Sequence, residues 1–252
     1  MVTTSPENFR GGTIWNIILG INGALQAIGY ALLVLFFVTG VMKTAGSFVE
    51  MKRPELAFKM FIRFALSKAA ITYSLTIMTT IFQIVQTAIN AIMGASGLGA
   101  AEAMVLPEEI VTAIQDVGLI KSIPLAAVAL LGSALIWVLS ILMVLTVYSR
   151  FFKLFMATAI APIPLSAFAG EPSSSIGRSF LKSYAAICME GCIVILACVI
   201  FSGFAVTAPE VNADLAPATI VWNYVGAVLF NMLVLVGTIK MSSQLVRELM
   251  GL

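Results

Sequence analysis

Residues 11–42 read GGTIWNIILGINGALQAIGYALLVLFFVTGVM and contain no charged side chain over 32 positions. About 20 apolar residues are enough for a helix to cross the hydrocarbon core of a bilayer. Four more stretches have the same character: residues 69–101, 122–149 and 215–239 carry no charge, and residues 183–208 carry only Glu190. Open strand edges do not occur in lipid and none of these stretches alternates strictly, so helices are predicted.

The composition excludes most soluble classes. The chain has 252 residues, of which 60% are hydrophobic and 10% charged, with a mean hydropathy of +1.05 and a net charge of +2. Soluble domains carry about 25% charged residues. A secreted domain, a cytosolic enzyme and a nucleic-acid-binding module are therefore excluded as descriptions of the whole chain.

The residue types that the sequence lacks exclude several kinds of catalytic and metal site. The sequence has no histidine, which excludes Ser-His-Asp and Cys-His catalysis and HExxH zinc sites. It has no P-loop motif, and its three cysteines, Cys188, Cys192 and Cys198, lie in one apolar run where packing is the simpler role. We expect no catalytic residue, no cofactor and no metal ion.

These patterns predict an all-α, polytopic membrane protein with about five transmembrane helices, a proline-broken re-entrant hairpin and interfacial amphipathic helices. Residues 1–252 are treated as a single transmembrane domain. The predicted spans are residues 24–42, 69–93, 122–149, 183–208 and 215–239. Residues 1–23 are predicted to form an outer, interfacial segment with a bend near Gly20 to Gly23, residues 43–68 a basic cytoplasmic loop, and residues 94–121 an outer loop.

Residues 154–170 form a sixth uncharged stretch that is only 17 residues long and contains Pro162 and Pro164. Each proline removes a backbone N–H, so the pair predicts a helix break at membrane depth, tolerated where protein or water covers it. We expect this stretch to enter and leave by the cytoplasmic face. In the alternative, it crosses fully and every later loop changes side.

The charge distribution gives the orientation. With the N-terminus outside and the C-terminus in the cytoplasm, all 14 basic residues except Arg10 and Lys121 lie on the cytoplasmic side. This agrees with the positive-inside rule. The candidate cytoplasmic basic surface comprises Lys52, Arg53, Lys59, Arg63, Lys68, Arg150 and Lys153.

Two loop segments have amphipathic patterns. Residues 54–68 predict a basic helix that either anchors in anionic lipid or docks a cytoplasmic partner. In the outer loop, Pro107, Glu108 and Glu109 predict a helix start, and we expect a partner protein or a neighbouring subunit to cover its apolar face.

Polar residues in the second span follow a regular spacing of 4, 3, 4, 3 and 4, which places them on one face of a helix. They are Thr72, Thr76, Thr79, Gln83, Gln86 and Asn90. Either they bond across a helix–helix seam, with Asn22, Gln26, Asn223 and Asn231 as partners, or they line a wet lumen. Small residues such as Gly20 and Gly23 would allow close helix approach in the seam.

Glu190 is the one carboxylate predicted at membrane depth, where an isolated charge costs at least about 2.5 kcal/mol. It should face the bundle interior, be protonated, or pair. Lys182, eight residues earlier, is the nearest cation along the helix. A structural or subunit-contact role is favoured over proton-coupled transport, because the span holds no second acid and no histidine.

Residues 150–201 read RFFKLFMATAIAPIPLSAFAGEPSSSIGRSFLKSYAAICMEGCIVILACVIF. Basic residues after a span, the A-P-I-P-L break and an aromatic-basic entry into another span resemble the TrbL-type polytopic subunit of type IV secretion and conjugation systems. The compact layout is similar to the form found in conjugative elements of Gram-positive bacteria. The resemblance implies a plasma-membrane component of a DNA-transfer channel that oligomerises and contacts the ATPases of the machine. It brings no catalytic residues.

The leading hypothesis is a scaffold or channel subunit of a conjugation apparatus, embedded in the bilayer as a homo-oligomer such as a pentameric ring. Its partners would be other conjugation subunits, including ATPases, with transient contact to transferred DNA. The alternative is a stand-alone secondary transporter or small channel that uses Glu190, although no second broken helix supports an internal repeat. An intramembrane enzyme is disfavoured by the absence of histidine and of clustered acids.

Overall fold

The computed structural model describes residues 5–44, 54–96, 111, 122–205 and 217–252. A 3₁₀ helix at Pro6–Gly12 precedes α1 (Thr13–Thr44), α2 (Pro54–Thr72) and α3 (Ser74–Ser96). They are followed by α4 (Ser122–Ile160), α5 (Pro162–Ser166), a short 3₁₀ helix at Ala167–Ala169, α6 (Ser174–Ala205) and α7 (Pro217–Leu249). No strand occurs within these ranges, which confirms the predicted all-helical class.

Five of the described helices, α1, α3, α4, α6 and α7, are long and apolar enough to cross a membrane. Large apolar side chains cover much of their outer surface: Ile17 is 58% exposed, Leu130 69%, Trp137 67% and Phe230 66%. Water would penalise so much exposed apolar surface, whereas lipid accepts it. The chain is a multi-pass membrane protein.

The first span differs from its prediction in where the chain bends. Helix α1 continues through Gly20 and Gly23 without a break, and the change of direction falls at Gly12, whose φ of +77° suits glycine. A glycine inside a helix is tolerated when the helix is otherwise well packed. Among the described residues, none lies within 4 Å of a Cβ added at Gly20 or Gly23, so neither glycine mediates a close approach between the described helices.

Helix α2 begins at Pro54, as the sequence predicts, and continues to Thr72. A single turn residue, Tyr73, separates it from α3, yet backbone bonds bridge the junction: Tyr73 N–H donates to Ala69 O and Ile77 N–H donates to Tyr73 O. The two helices therefore follow one another with little loss of backbone pairing. The helix predicted after Pro107 lies outside the described residues, apart from Val111.

The predicted proline break is present. Helix α4 extends past Arg150 and Lys153 to Ile160, and α5 then starts at Pro162. Proline lacks a backbone N–H and suits a first helical turn, so Pro162 and Pro164 end one hydrogen-bonded helix and start another, although Ala161 between the two helices keeps helical backbone angles. That residues 154–170 form a re-entrant hairpin stays a prediction.

The described residues divide into two compact units. In the first unit (Met1–Asn90, Ser149–Cys192 and Ser243–Leu252), the core contains Met78, Phe82, Leu154 and Tyr184. The Tyr184 hydroxyl donates a hydrogen bond of 3.0 Å to the Met78 carbonyl, which ties α6 to α3. A buried tyrosine hydroxyl needs a hydrogen-bond partner, and this bond offsets the cost of removing the hydroxyl from water.

In the same unit, α1 packs at three positions against the end of α4 and the chain that follows it. The amide of Asn22, which is fully buried, donates 2.8 Å to the Thr158 carbonyl and accepts 3.1 Å from the Ser74 hydroxyl. Gly29 lies against the carbonyl of Pro162, and Gly40 lies against Gly170. The proline-broken segment is thus held along α1 by one buried polar network and two glycine contacts.

The second unit comprises Ala91–Tyr148 and Ile193–Ser242. Ile220 and Val221 form its described core, with Val128, Tyr224 and Val225 packed against them. An added Cβ at Gly132 would be 2.5 Å from Val225, so α4 and α7 approach closely at this glycine. Here the packing is made by apolar and small side chains.

Candidate functional site

Glu190 lies on α6 with only 7% of its surface exposed. Its Oε1 accepts a hydrogen bond from the Nζ of Lys153 on α4, at 3.4 Å. Lys182, the cation that sequence spacing indicated, is exposed and makes no described contact with Glu190. The carboxylate is therefore paired across two helices, because the antiparallel return of α6 brings residue 190 next to α4.

Arg150, one turn before Lys153 on α4, is 4% exposed. Its guanidinium lies against the backbone of α6 at Gly191, where an added Cβ would overlap with it. Neither Nη1 nor Nη2 has a hydrogen-bond partner within the described part of the chain. The prediction placed Arg150 on a cytoplasmic surface, whereas the structure places it inside, where Gly191 leaves room for the flat guanidinium.

These three residues form a charge cluster, which we define as Arg150, Lys153 and Glu190. It combines two cations and one carboxylate between α4 and α6. A buried charge is tolerated when an opposite charge pairs with it. Removing one partner leaves the remaining charge buried and uncompensated, which costs free energy. In this cluster, the negative charge of Glu190 offsets part of the positive charge of Arg150 and Lys153.

The polar residues predicted on one face of the second span divide between two environments. The Thr72 hydroxyl donates to Lys68 O at 2.9 Å and lies 2.8 Å from the Tyr30 hydroxyl, so it joins α2 to α1. Thr79 and Gln86 are half-buried and, together with Gln83, line a small cavity of about 60 Å³ beside Tyr184. Thr76, Gln83 and Asn90 are exposed.

Two exposed threonines, Thr80 and Thr87, belong beside Thr76, Gln83 and Asn90, and sequence reasoning missed them. The spacing 76, 80, 83, 87 and 90 is as regular as the spacing of the predicted stripe, so it was available as a signal. Without a structure, nothing indicated which of the two neighbouring ridges turned toward the chain's own core. We define the α3 ridge as Thr76, Thr80, Gln83, Thr87 and Asn90.

Of the proposed seam partners of the stripe, Gln26 contacts the stripe residue Thr72, whereas Asn22 bonds elsewhere. The Asn22 side chain donates a hydrogen bond to the Thr158 carbonyl and accepts one from the Ser74 hydroxyl. The Gln26 Nε2 makes a long contact of 3.5 Å with the Thr72 carbonyl. Asn223 is exposed and Asn231 is half-buried on α7. Within the part of the chain that the structure describes, Thr72 contacts a neighbouring helix, whereas Thr76, Gln83 and Asn90 make no side-chain hydrogen bond to another helix.

The basic residues near α2 lie on the surface. Lys59 and Lys68 are exposed, and the Arg63 Nη2 contacts the Glu171 Oε1 at 3.1 Å. Both members of this pair retain solvent contact, so it contributes no more than about 1 kcal/mol. Lys52 and Arg53 lie outside the described residues.

Comparison with protein families identifies the chain. A model of the TrbL/VirB6 plasmid conjugal transfer-like proteins matches residues 1–162, which is more than half of the sequence. The chain belongs to the TrbL/VirB6 family. The predicted resemblance is confirmed, and the chain is a membrane subunit of conjugal transfer type rather than a member of a known enzyme class.

The family match covers the described helices from α1 to the end of α4 and reaches Pro162. It therefore includes the α3 ridge, Arg150 and Lys153, whereas Glu190 lies beyond it. Most of the segment 150–201, which carried the resemblance in the sequence, also lies beyond the match. A search of curated proteins and a search of solved structures return no match.

Proposed function

We propose that this TrbL/VirB6 protein is a scaffold or channel subunit that oligomerises in the bacterial plasma membrane and serves conjugative DNA transfer. The family match over residues 1–162 carries the proposal. Its five apolar helices provide the membrane domain. We further propose an N-terminus outside, a C-terminus in the cytoplasm, and a closed ring of identical copies such as a pentamer.

The energy for transfer would come from partner ATPases. The chain has no P-loop of its own, and a secondary transporter would require a carboxylate that is free to exchange protons. The contact between Glu190 and Lys153 instead favours a structural role for this carboxylate. Exposed cations on α2, such as Lys59 and Lys68, offer a cytoplasmic surface to anionic lipid or to those ATPases.

Deletion of the gene from its conjugative element should abolish DNA transfer to recipient cells, and the intact gene supplied in trans should restore it. The purified protein should elute as an oligomer in mild detergent and should retain other transfer subunits. Transfer at the parental frequency without the gene would contradict the proposal. So would a stable monomer that retains none of those subunits.

A further inference from the structure

The α3 ridge is exposed and lies on the side of its helix opposite the buried residues, although Gln83 also reaches the edge of the cavity beside Tyr184. At about 100° per residue, its five members fall within an arc of about 80°. The buried side chains of the same helix, Met78, Phe82 and Ile89, lie on the opposite side, with exposures of 0%, 3% and 0%. Helix α3 is therefore amphipathic with its polar face outward, although it is one of the five potential spans.

Lipid hydrocarbon is a poor covering for the α3 ridge. Gln83 and Asn90 each carry an amide with two donors and an acceptor oxygen. The Asn90 Oδ1 accepts a long contact of 3.5 Å from the Gln86 Nε2, but hydrocarbon satisfies none of the amide donors of Gln83 and Asn90. The exposed surfaces of α1 and α4 carry mainly large apolar residues, such as Ile17, Ile28 and Leu145. The α3 ridge differs from those lipid-compatible surfaces within the same molecule, so protein is expected to cover it.

A second copy of the same helix matches the ridge chemically. Threonine hydroxyls and carboxamides both donate and accept hydrogen bonds, so identical ridges are complementary to one another. Spacings of 4, 3, 4 and 3 are those with which helices pack at small crossing angles. Polar side chains of this kind hold membrane helices together through interhelical hydrogen bonds.

We propose that the α3 ridge is the surface through which copies of this chain meet, with their α3 helices around a shared axis. This inference rests on the proposed oligomer and assigns its contact surface. Thr80 and Thr87 lie at the centre of the ridge and face their counterparts on neighbouring copies. Ile84, which is 66% exposed, marks the apolar edge of the contact.

Disulfide cross-linking in native membranes tests the inference. The three native cysteines are first replaced by alanine, and the DNA transfer of this background is measured. Thr80→Cys and Thr87→Cys should then form covalent dimers under mild oxidation. Ala88→Cys is the matched control, because Ala88 is exposed at nearly the same depth but is rotated by about 100°; it should remain mostly monomeric.

The other outcomes separate this inference from the proposed function. If the protein is oligomeric and transfers DNA but Thr80→Cys and Thr87→Cys do not cross-link, copies meet elsewhere and the inference is wrong. Reaction of both positions with a membrane-impermeant thiol reagent, without cross-linking, would indicate a wide aqueous lumen and also overturn it. A protein that is monomeric in the membrane would contradict the oligomer itself, and with it the proposed function.

Discussion

Replacing Glu190 with glutamine is expected to lower the free energy of unfolding by about 1–2 kcal/mol. The substitution removes the only carboxylate from the charge cluster and leaves Arg150, 4% exposed, beside Lys153 without an anion. Breaking a fully buried ion pair typically costs ~3–5 kcal/mol. The expected loss is smaller because the Lys153 side chain is 43% exposed and its contact with Glu190 is 3.4 Å long. Thermal unfolding in detergent, followed by tryptophan fluorescence, measures the change.

Lys182→Gln is the control for this prediction, since Lys182 shares α6 with Glu190 but is exposed and outside the cluster. Its unfolding midpoint should match that of the parent protein. In a double-mutant cycle, Glu190→Gln and Lys153→Gln should be clearly non-additive, as expected for residues in contact. Equal stability of Glu190→Gln and the parent would show that the cluster does not hold α4 and α6 together.

The second large effect is expected from Gly29→Leu. An added Cβ at Gly29 would be 2.9 Å from the carbonyl oxygen of Pro162 and 3.3 Å from Cγ2 of Ile71, so a leucine has no room. Because the nearest atom belongs to the backbone, α1 must move away from α5. We expect a loss of about 3 kcal/mol, at the upper end of the range for overpacking, measured as a lower unfolding midpoint and a lower yield.

Gly23→Leu provides the matched control on the same helix, because nothing lies within 4 Å of an added Cβ there. It should be neutral or should stabilise the protein by up to about 1 kcal/mol, because leucine has a higher helix propensity than glycine. Similar losses for Gly23→Leu and Gly29→Leu would show that the cost comes from helix α1 itself. The contact between α1 and the proline-broken segment would then be unimportant.

The helical class and the number of spans could be predicted from the sequence, because uncharged runs of this length have few other solutions. The break between α4 and α5 was also predictable, since Pro162 and Pro164 each lack the backbone N–H that a continuous helix needs. The uninterrupted course of α1 through Gly20 and Gly23 was not predictable, because glycines inside an apolar helix do not show whether a neighbour or only lipid lies beside them. Gly29, which does meet a neighbour, looks the same in the sequence.

The candidate site was predicted less completely for the same reason. Glu190 stood out as a lone carboxylate, yet its partner is 37 residues away along the chain, on another helix. Spacing along α6 pointed only to Lys182. Arg150 had the pattern of a basic residue after a span, and its burial depends on Gly191, which no local pattern connects to it. Long-range contacts of this kind arise from helix packing.

Side-specific thiol labelling in intact cells tests the five-span arrangement on which the proposed function depends. Lys59→Cys on α2 and Lys240→Cys on α7 are both at exposed positions. Both should resist a membrane-impermeant reagent added outside and should react once the cells are permeabilised. Labelling of one position from outside and of the other only after permeabilisation would place the two on opposite sides of the membrane and contradict the arrangement.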